Sequence, residues 1–245
     1  MSGDLPLYDD DHLFSAYQDM RSAPGRLNEV VERPAIWSLM PNPENFVVAD
    51  LGCGAGDMVR DLCAKGARAV LGIDASERMI AEATRSSVHP AARFLVRPLE
   101  RLELSENTYD LVVSSLALHY VEPYDKLVDD VRRALKPEAR FVFSVEHPIV
   151  TCARREWETD AHGERIHWPV DHYAEEGSRM IRWLGLDVPR QHRTVSSYLN
   201  VLIDRGFVIE KVLEPVPDDG AIARWPRLAD QRRRPPFLLV SARKV

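Results

Sequence analysis

Phe46-Val47-Val48-Ala49-Asp50-Leu51-Gly52-Cys53-Gly54-Ala55-Gly56-Asp57 is the stretch on which the fold turns. An apolar run meets an acid, then three glycines at alternate positions, then a helical pattern from Met58 to Lys65. Run, turn and helix read as the first βα unit of an open α/β sheet. Glycines at that turn remove Cβ atoms, so the backbone passes close to a ligand. The helix that follows offers free N–H groups and a positive dipole end to the same spot.

The spacing separates two loop types. The dinucleotide fingerprint G-x-G-x-x-G asks for a third glycine where this chain has Asp57, and an acid facing a pyrophosphate is unfavourable. The string D-L-G-C-G-A-G instead resembles motif I of the class I S-adenosylmethionine (SAM) methyltransferases, whose ligand is a sulfonium without phosphate. Ala69-Val70-Leu71-Gly72-Ile73-Asp74 reads as a second strand ending in an acid, 22 residues after Gly52. Ser76 caps the helix after it, Glu77 to about Arg85. The string G-I-D-A-S-E-R-M-I is similar to the family's motif II.

The resemblance covers nearly the whole chain and is specific over residues 46–145. It implies a Rossmann-like fold, α/β with a mostly parallel sheet in the order 3-2-1-4-5-7-6 and an antiparallel last strand. It implies SAM as cofactor, with S-adenosylhomocysteine as product. Contacts are expected from Asp50, Gly52, Cys53, Gly54 and Gly56, and from Asp74 (on the ribose hydroxyls), Ala75, Ser76 and Met79. After the third strand, Arg93–Val96, the family carries an acid for adenine. Here Pro98 takes that place, and Leu99 and Glu100 are left to meet the base. Tyr17 and Arg21, one helical turn apart in an N-terminal lid segment (residues 1–45), are placed by resemblance near the methionine end.

Tyr109-Asp110-Leu111-Val112-Val113-Ser114-Ser115-Leu116-Ala117-Leu118-His119-Tyr120-Val121 is similar to the segment that lines the family's methyl-transfer site. Ligands in open α/β sheets sit at the carboxyl ends of strands, which puts Ser114 and His119 at the mouth. His119 either takes a proton from the acceptor or braces its loop. The fifth strand, Phe141–Val145, ends on Glu146-His147-Pro148, so Glu146 and His147 are substrate-side candidates. His119 or His147, helped by Tyr173 or His192, is expected to orient or deprotonate the acceptor.

Residues 146–193 break the βα rhythm and hold Trp157, Trp168 and Trp183. They read as a cap insertion that shapes a substrate pocket. His162, His167 and His172 recur every five residues, a spacing no regular element gathers on one face, so no metal is expected. A helix to about Arg205, a strand at Phe207–Val212 and a last strand at Pro236–Ala242 close one methyltransferase domain over residues 1–245.

Net charge is -6 and the pI about 5.8, which gives no general basic footprint for nucleic acid. Arg232-Arg233-Arg234 reads as a solvated turn. Three scattered cysteines, no signal peptide and no membrane-length apolar run fit a reducing cytoplasm. The expected function is methyl transfer to an O, N or C nucleophile of a small molecule, with oligomeric state open. An RNA or protein methyltransferase and a non-catalytic SAM-binding protein stay as alternatives, and a nicotinamide dehydrogenase is disfavoured by Asp57.

Overall fold

The structure is a computed structural model and describes residues 7–152 and 156–245. The chain opens with α1 (Asp11–Ser22), capped by the Asp10 side chain on the Leu13 amide. A π-helical stretch, Asn28–Glu32, runs into α2 (Arg33–Leu39). The alternating core begins with β1 (Val47–Leu51), α3 (Asp57–Ala64), β2 (Ala69–Asp74), α4 (Glu77–Ser86) and β3 (Ala92–Val96). Then come β4 (Tyr109–Ser115), α5 (Tyr124–Ala134), β5 (Leu135–Glu146) and the short α6 (Pro148–Thr151). Two hairpins follow, β6 (Glu158–Thr159) with β7 (Arg165–His167) and β8 (Gly177–Trp183) with β9 (Leu186–His192). The chain closes with α7 (Val195–Asp204), β10 (Phe207–Leu213), α8 (Asp219–Arg224) and β11 (Phe237–Lys244).

Seven strands form one sheet in the order β10-β11-β5-β4-β1-β2-β3. Counted within that sheet, this is the expected order, and β11 is antiparallel to both β5 and β10. The central strands are apolar on both sides because both faces are covered. Ala49, Val112, Phe141, Phe143 and Val240 point to α5 and α7. Their neighbours Val48, Leu111, Val113, Val142 and Leu239 point to α2 and α3. The period of two within each strand thus feeds two separate cores from one sheet.

Two boundaries differ from the sequence reading. β5 starts six residues early, at Leu135, because Lys136 pairs with Asp110 at 2.6 Å and draws the post-helix segment alongside β4. The cap insertion also carries a regular hairpin, since β8 and β9 pair over their full length. Polar residues alternate there with Ile181 and Val188, a pattern that aromatic and basic composition hides. Among the described residues no helix is long and apolar enough to cross a membrane.

Candidate active site

The carboxyl ends of β1, β2 and β4 open on a cavity of about 770 Å³. Its floor is the glycine turn. Gly52 has φ 75° and a Cβ there would lie 2.2 Å from the Ala117 Cβ, so β1 and the segment after β4 meet only over glycine. Gly54, at φ 52°, faces open space within 4 Å. That leaves room for a ligand directly against the main chain. Gly56, at φ 80°, is the N-cap of α3 and lies behind the loop, not on the cavity wall.

Carboxylates ring this side. Asp74 accepts from the Gly54 amide (Oδ2, 2.9 Å) and from the Ser76 amide (Oδ1, 2.9 Å). Each of its oxygens keeps a lone pair for a further donor. Burial holds its pKa above the ordinary carboxylate value, partly offset by those amides. Asp50 is buried at the end of β1, and its Oδ2 has no hydrogen-bond partner among the described residues. Burial, then the neighbouring Asp74, Asp57 and Glu32, push its pKa up to about 8. Glu32 is also buried and lines the cavity; its Oε1 accepts from Ser144 (2.6 Å) and Ser115 (2.9 Å). Nothing in the sequence marked Glu32, because its partners lie 83 and 112 residues away.

The other side is roofed by aromatic rings. Tyr8 and Tyr17, from the N-terminal segment, meet Trp183 at the end of β8 with ring centroids 6.2 and 6.0 Å away. The Tyr8 hydroxyl bonds that of Tyr120 at 3.1 Å. The segment is pinned by Asp9, which accepts from the Ser76 hydroxyl at 2.5 Å and from the Glu77 and Arg78 amides at the start of α4. Arg190 on β9 completes this side. Strand alternation turns Val188, Arg190 and His192 inward together, and the Arg190 guanidinium stacks 4.0 Å from the Tyr120 ring. That period-two pattern, Val-Pro-Arg-Gln-His, was the available signal for Arg190.

Of the expected cofactor residues, Tyr17, Asp50, Gly52, Cys53, Gly54, Asp74, Ala75, Ser76, Met79, Leu99 and Glu100 line this one cavity. Ser114 does not. It is fully buried inside β4 and donates to the Leu51 carbonyl at 2.8 Å, because it points into the sheet one residue short of the mouth. Arg21 lies on α1, with its side chain outside the described residues.

Among the expected catalytic residues only His119 reaches the cavity. Its Nδ1 accepts from the Glu146 amide at 3.2 Å, so the neutral ring carries its proton on Nε2 and acts there as a donor. The other three brace the cap. His147 caps α6 through Nδ1 on the Ile149 amide and bonds Glu214 through Nε2 at 2.6 Å. His192 is clamped between Thr151 Oγ1 (2.7 Å) and the Tyr173 carbonyl (2.9 Å). The Tyr173 hydroxyl accepts from the Val195 amide at 3.0 Å. Burial lowers the pKa of both His147 and His192, which keeps them neutral struts. Arg234, expected in a solvated turn, packs its guanidinium 3.9 Å from the Trp168 ring and lines the cavity.

Residues 49–143 match the model of a methyltransferase domain. An S-adenosylmethionine-dependent methyltransferase of known structure from Mesorhizobium loti is 42% identical, with a TM-score of 0.83 over 92% of this chain and 100% of that one. The chain is a SAM-dependent methyltransferase. An uncharacterised protein of Haemophilus influenzae is 35% identical over 100% of this chain and 99% of its own. A trans-aconitate 2-methyltransferase of Deinococcus radiodurans is 28% identical over 61% of this chain and 57% of its own.

The residues present fit SAM. The open face of Gly54 admits a ligand against the loop, and the unpartnered Asp50 oxygen lacks the cationic donor that an amino acid ammonium carries. When bound, SAM supplies a methyl group already activated on a sulfonium. The chain's own task is then to align, to exclude water and to handle any proton on the acceptor.

Proposed function

We propose that this methyltransferase acts on a small molecule, at an oxygen, nitrogen or carbon nucleophile, inside the roofed cavity. Asp74 takes the ribose hydroxyls, Asp50 the methionine ammonium, and Leu99 and Glu100 the adenine. The acceptor lies under Tyr8, Tyr17 and Trp183, with His119 beside it. The observation that carries this reading is the roof itself. A cavity of about 770 Å³ lined on one side by three aromatic rings suits a cofactor with one small partner. The trans-aconitate methyltransferase among its relatives has a small acid as its named substrate, which supports the same class.

The His119 tautomer favours orientation over proton abstraction. A ring nitrogen that already carries hydrogen holds an acceptor oxygen or carbonyl in line with the methyl group and takes no proton from it. The test is methyl transfer from radiolabelled SAM into cell extract split by ultrafiltration. Label in the small-molecule filtrate is expected. Label confined to retained RNA or protein would overturn the reading.

A further inference from the structure

Arg190 is a buried cation that the protein itself leaves incompletely matched. It is 1% exposed, yet it lines the cavity. Its Nε is 3.3 Å from one oxygen of Glu146, and Nη1 donates to the neighbouring Pro189 carbonyl at 3.2 Å. Nη2 meets no acceptor among the described residues. A guanidinium is planar and offers two parallel N–H groups along each edge, and a single long contact to Glu146 uses little of that fork. The plane is fixed, because the Tyr120 ring lies 4.0 Å from Cζ and the Trp183 ring 5.4 Å. A buried donor that borders a cavity and lacks an acceptor is completed by a ligand that brings one.

The surroundings favour an anion. Arg26, Arg227 and Arg234 line the same cavity, Arg26 beside Glu29 at 3.4 Å and Arg227 donating to the Pro24 and Gly25 carbonyls. Glu146 is engaged by Arg190, and Glu32 is engaged by its two serines. The cation at Arg190 also adjoins the chemistry, since Tyr120, on which it stacks, follows His119 directly.

We propose that the methyl acceptor carries a carboxylate, and that this carboxylate docks on the Nη2 edge of Arg190 between the Tyr120 and Trp183 rings. The carboxylate is the handle by which the acceptor is held. This rests on the small-molecule reading above.

The full chain, saturated with S-adenosylhomocysteine, is titrated calorimetrically with benzoate, cinnamate and succinate, with the neutral amide of each, and with phenyl phosphate. At least one carboxylate binds, about 10- to 100-fold tighter than its amide. R190Q loses that preference by a similar factor while its affinity for S-adenosylhomocysteine stays within about twofold. The double variant R190Q/E146Q removes both charges and serves if the single one leaves Glu146 buried and unfolds the chain. No carboxylate binding above its amide, or an unchanged preference in these variants, overturns the proposal. Tighter binding of phenyl phosphate than of benzoate overturns the choice of carboxylate. Repeating the series without S-adenosylhomocysteine separates cofactor binding from the Arg190 contact, and the ultrafiltration assay above tests the small-molecule reading on its own. Failure of that nucleoside to bind strikes the cofactor assignment, while the carboxylate titration still reads Arg190.

Discussion

The two sides of the cavity are built in opposite ways. The glycine-loop side comes from three short stretches, residues 50–57, 74–79 and 99–100, each at the end of one parallel strand. It is lined by acids, Asp50, Asp57, Asp74 and Glu100. The roofed side gathers rings, two arginines and one carboxylate from five distant places, Tyr8 and Tyr17, Tyr120, Glu146, Trp183 with Arg190, and Arg234. One side suits a cation that is the same in every member of the family. The other has a charge and shape set largely by segments outside the matched residues 49–143, with Tyr120 the exception. On the proposed function, a common donor and a particular acceptor meet where a local structure abuts an assembled one.

The sharpest way to break that comparison is at Asp74. D74A removes the proposed acceptor for two ribose hydroxyls and strips the Gly54 and Ser76 amides of their partner. With roughly 1.5–3 kcal/mol per charge-assisted hydrogen bond, affinity for S-adenosylhomocysteine should fall by about 100-fold or more. Calorimetry reads this directly. The carboxylate affinity of the roofed side should survive, and a parallel loss there would show that the two sides act as one.

The contrast also explains what the sequence disclosed. Asp50, Gly52, Gly54 and Asp74 line the cavity where the motif resemblance put them, because each motif lies within one or two βα units. Sheet order followed from the same motifs. The roofed side was not readable, because Tyr8 finds Tyr120 across 112 residues and Arg190 finds Glu146 across 44. His147 and His192 were misjudged for the same reason. A histidine beside a strand end looks catalytic until its ring is seen holding an amide and a threonine. Ser114 failed by a single residue, since alternation along β4 turns it into the sheet.

That distinction is testable among the histidines. H119A should lower kcat by roughly 10- to 100-fold with the true acceptor, and H119Q, which keeps a donor, should recover part of it. H147A and H192A should leave kcat within about twofold and instead lower the melting temperature, since each removes a buried hydrogen-bonded strut. Steady-state kinetics beside thermal unfolding separates the two patterns. A drop in kcat for H147A at unchanged stability would return that residue to the chemistry.

The glycine-loop side has its own pH signature. Asp50 has a folded pKa raised to about 8, against about 3.9 for an unfolded aspartate. A raised value means that folding favours the protonated form. The associated stability is complete below about pH 4 and is lost as pH rises through about 8. Glu32, raised by burial, has the same sign. An ammonium placed on Asp50 favours the carboxylate, so cofactor binding near pH 7 should release up to one proton and tighten by up to about tenfold per unit between pH 6 and 7.5. Calorimetry in buffers of different ionisation enthalpy counts that proton. D50N should abolish both the release and the slope, and a slope that persists in D50N would assign the proton elsewhere.

The smallest effect is expected at Ser114, and it sharpens the line between fold and site. Its hydroxyl donates to the Leu51 carbonyl at 2.8 Å in full burial, next to the strand end that carries Asp50 and Gly52. S114A leaves that carbonyl with one hydrogen bond fewer, at a cost of about 1 kcal/mol in unfolding free energy. If Ser114 belongs to the sheet alone, urea unfolding should register that loss while the affinity for S-adenosylhomocysteine changes by less than about twofold. A tenfold weaker cofactor with normal stability would mean that the β4 mouth begins one residue earlier than the buried hydroxyl indicates.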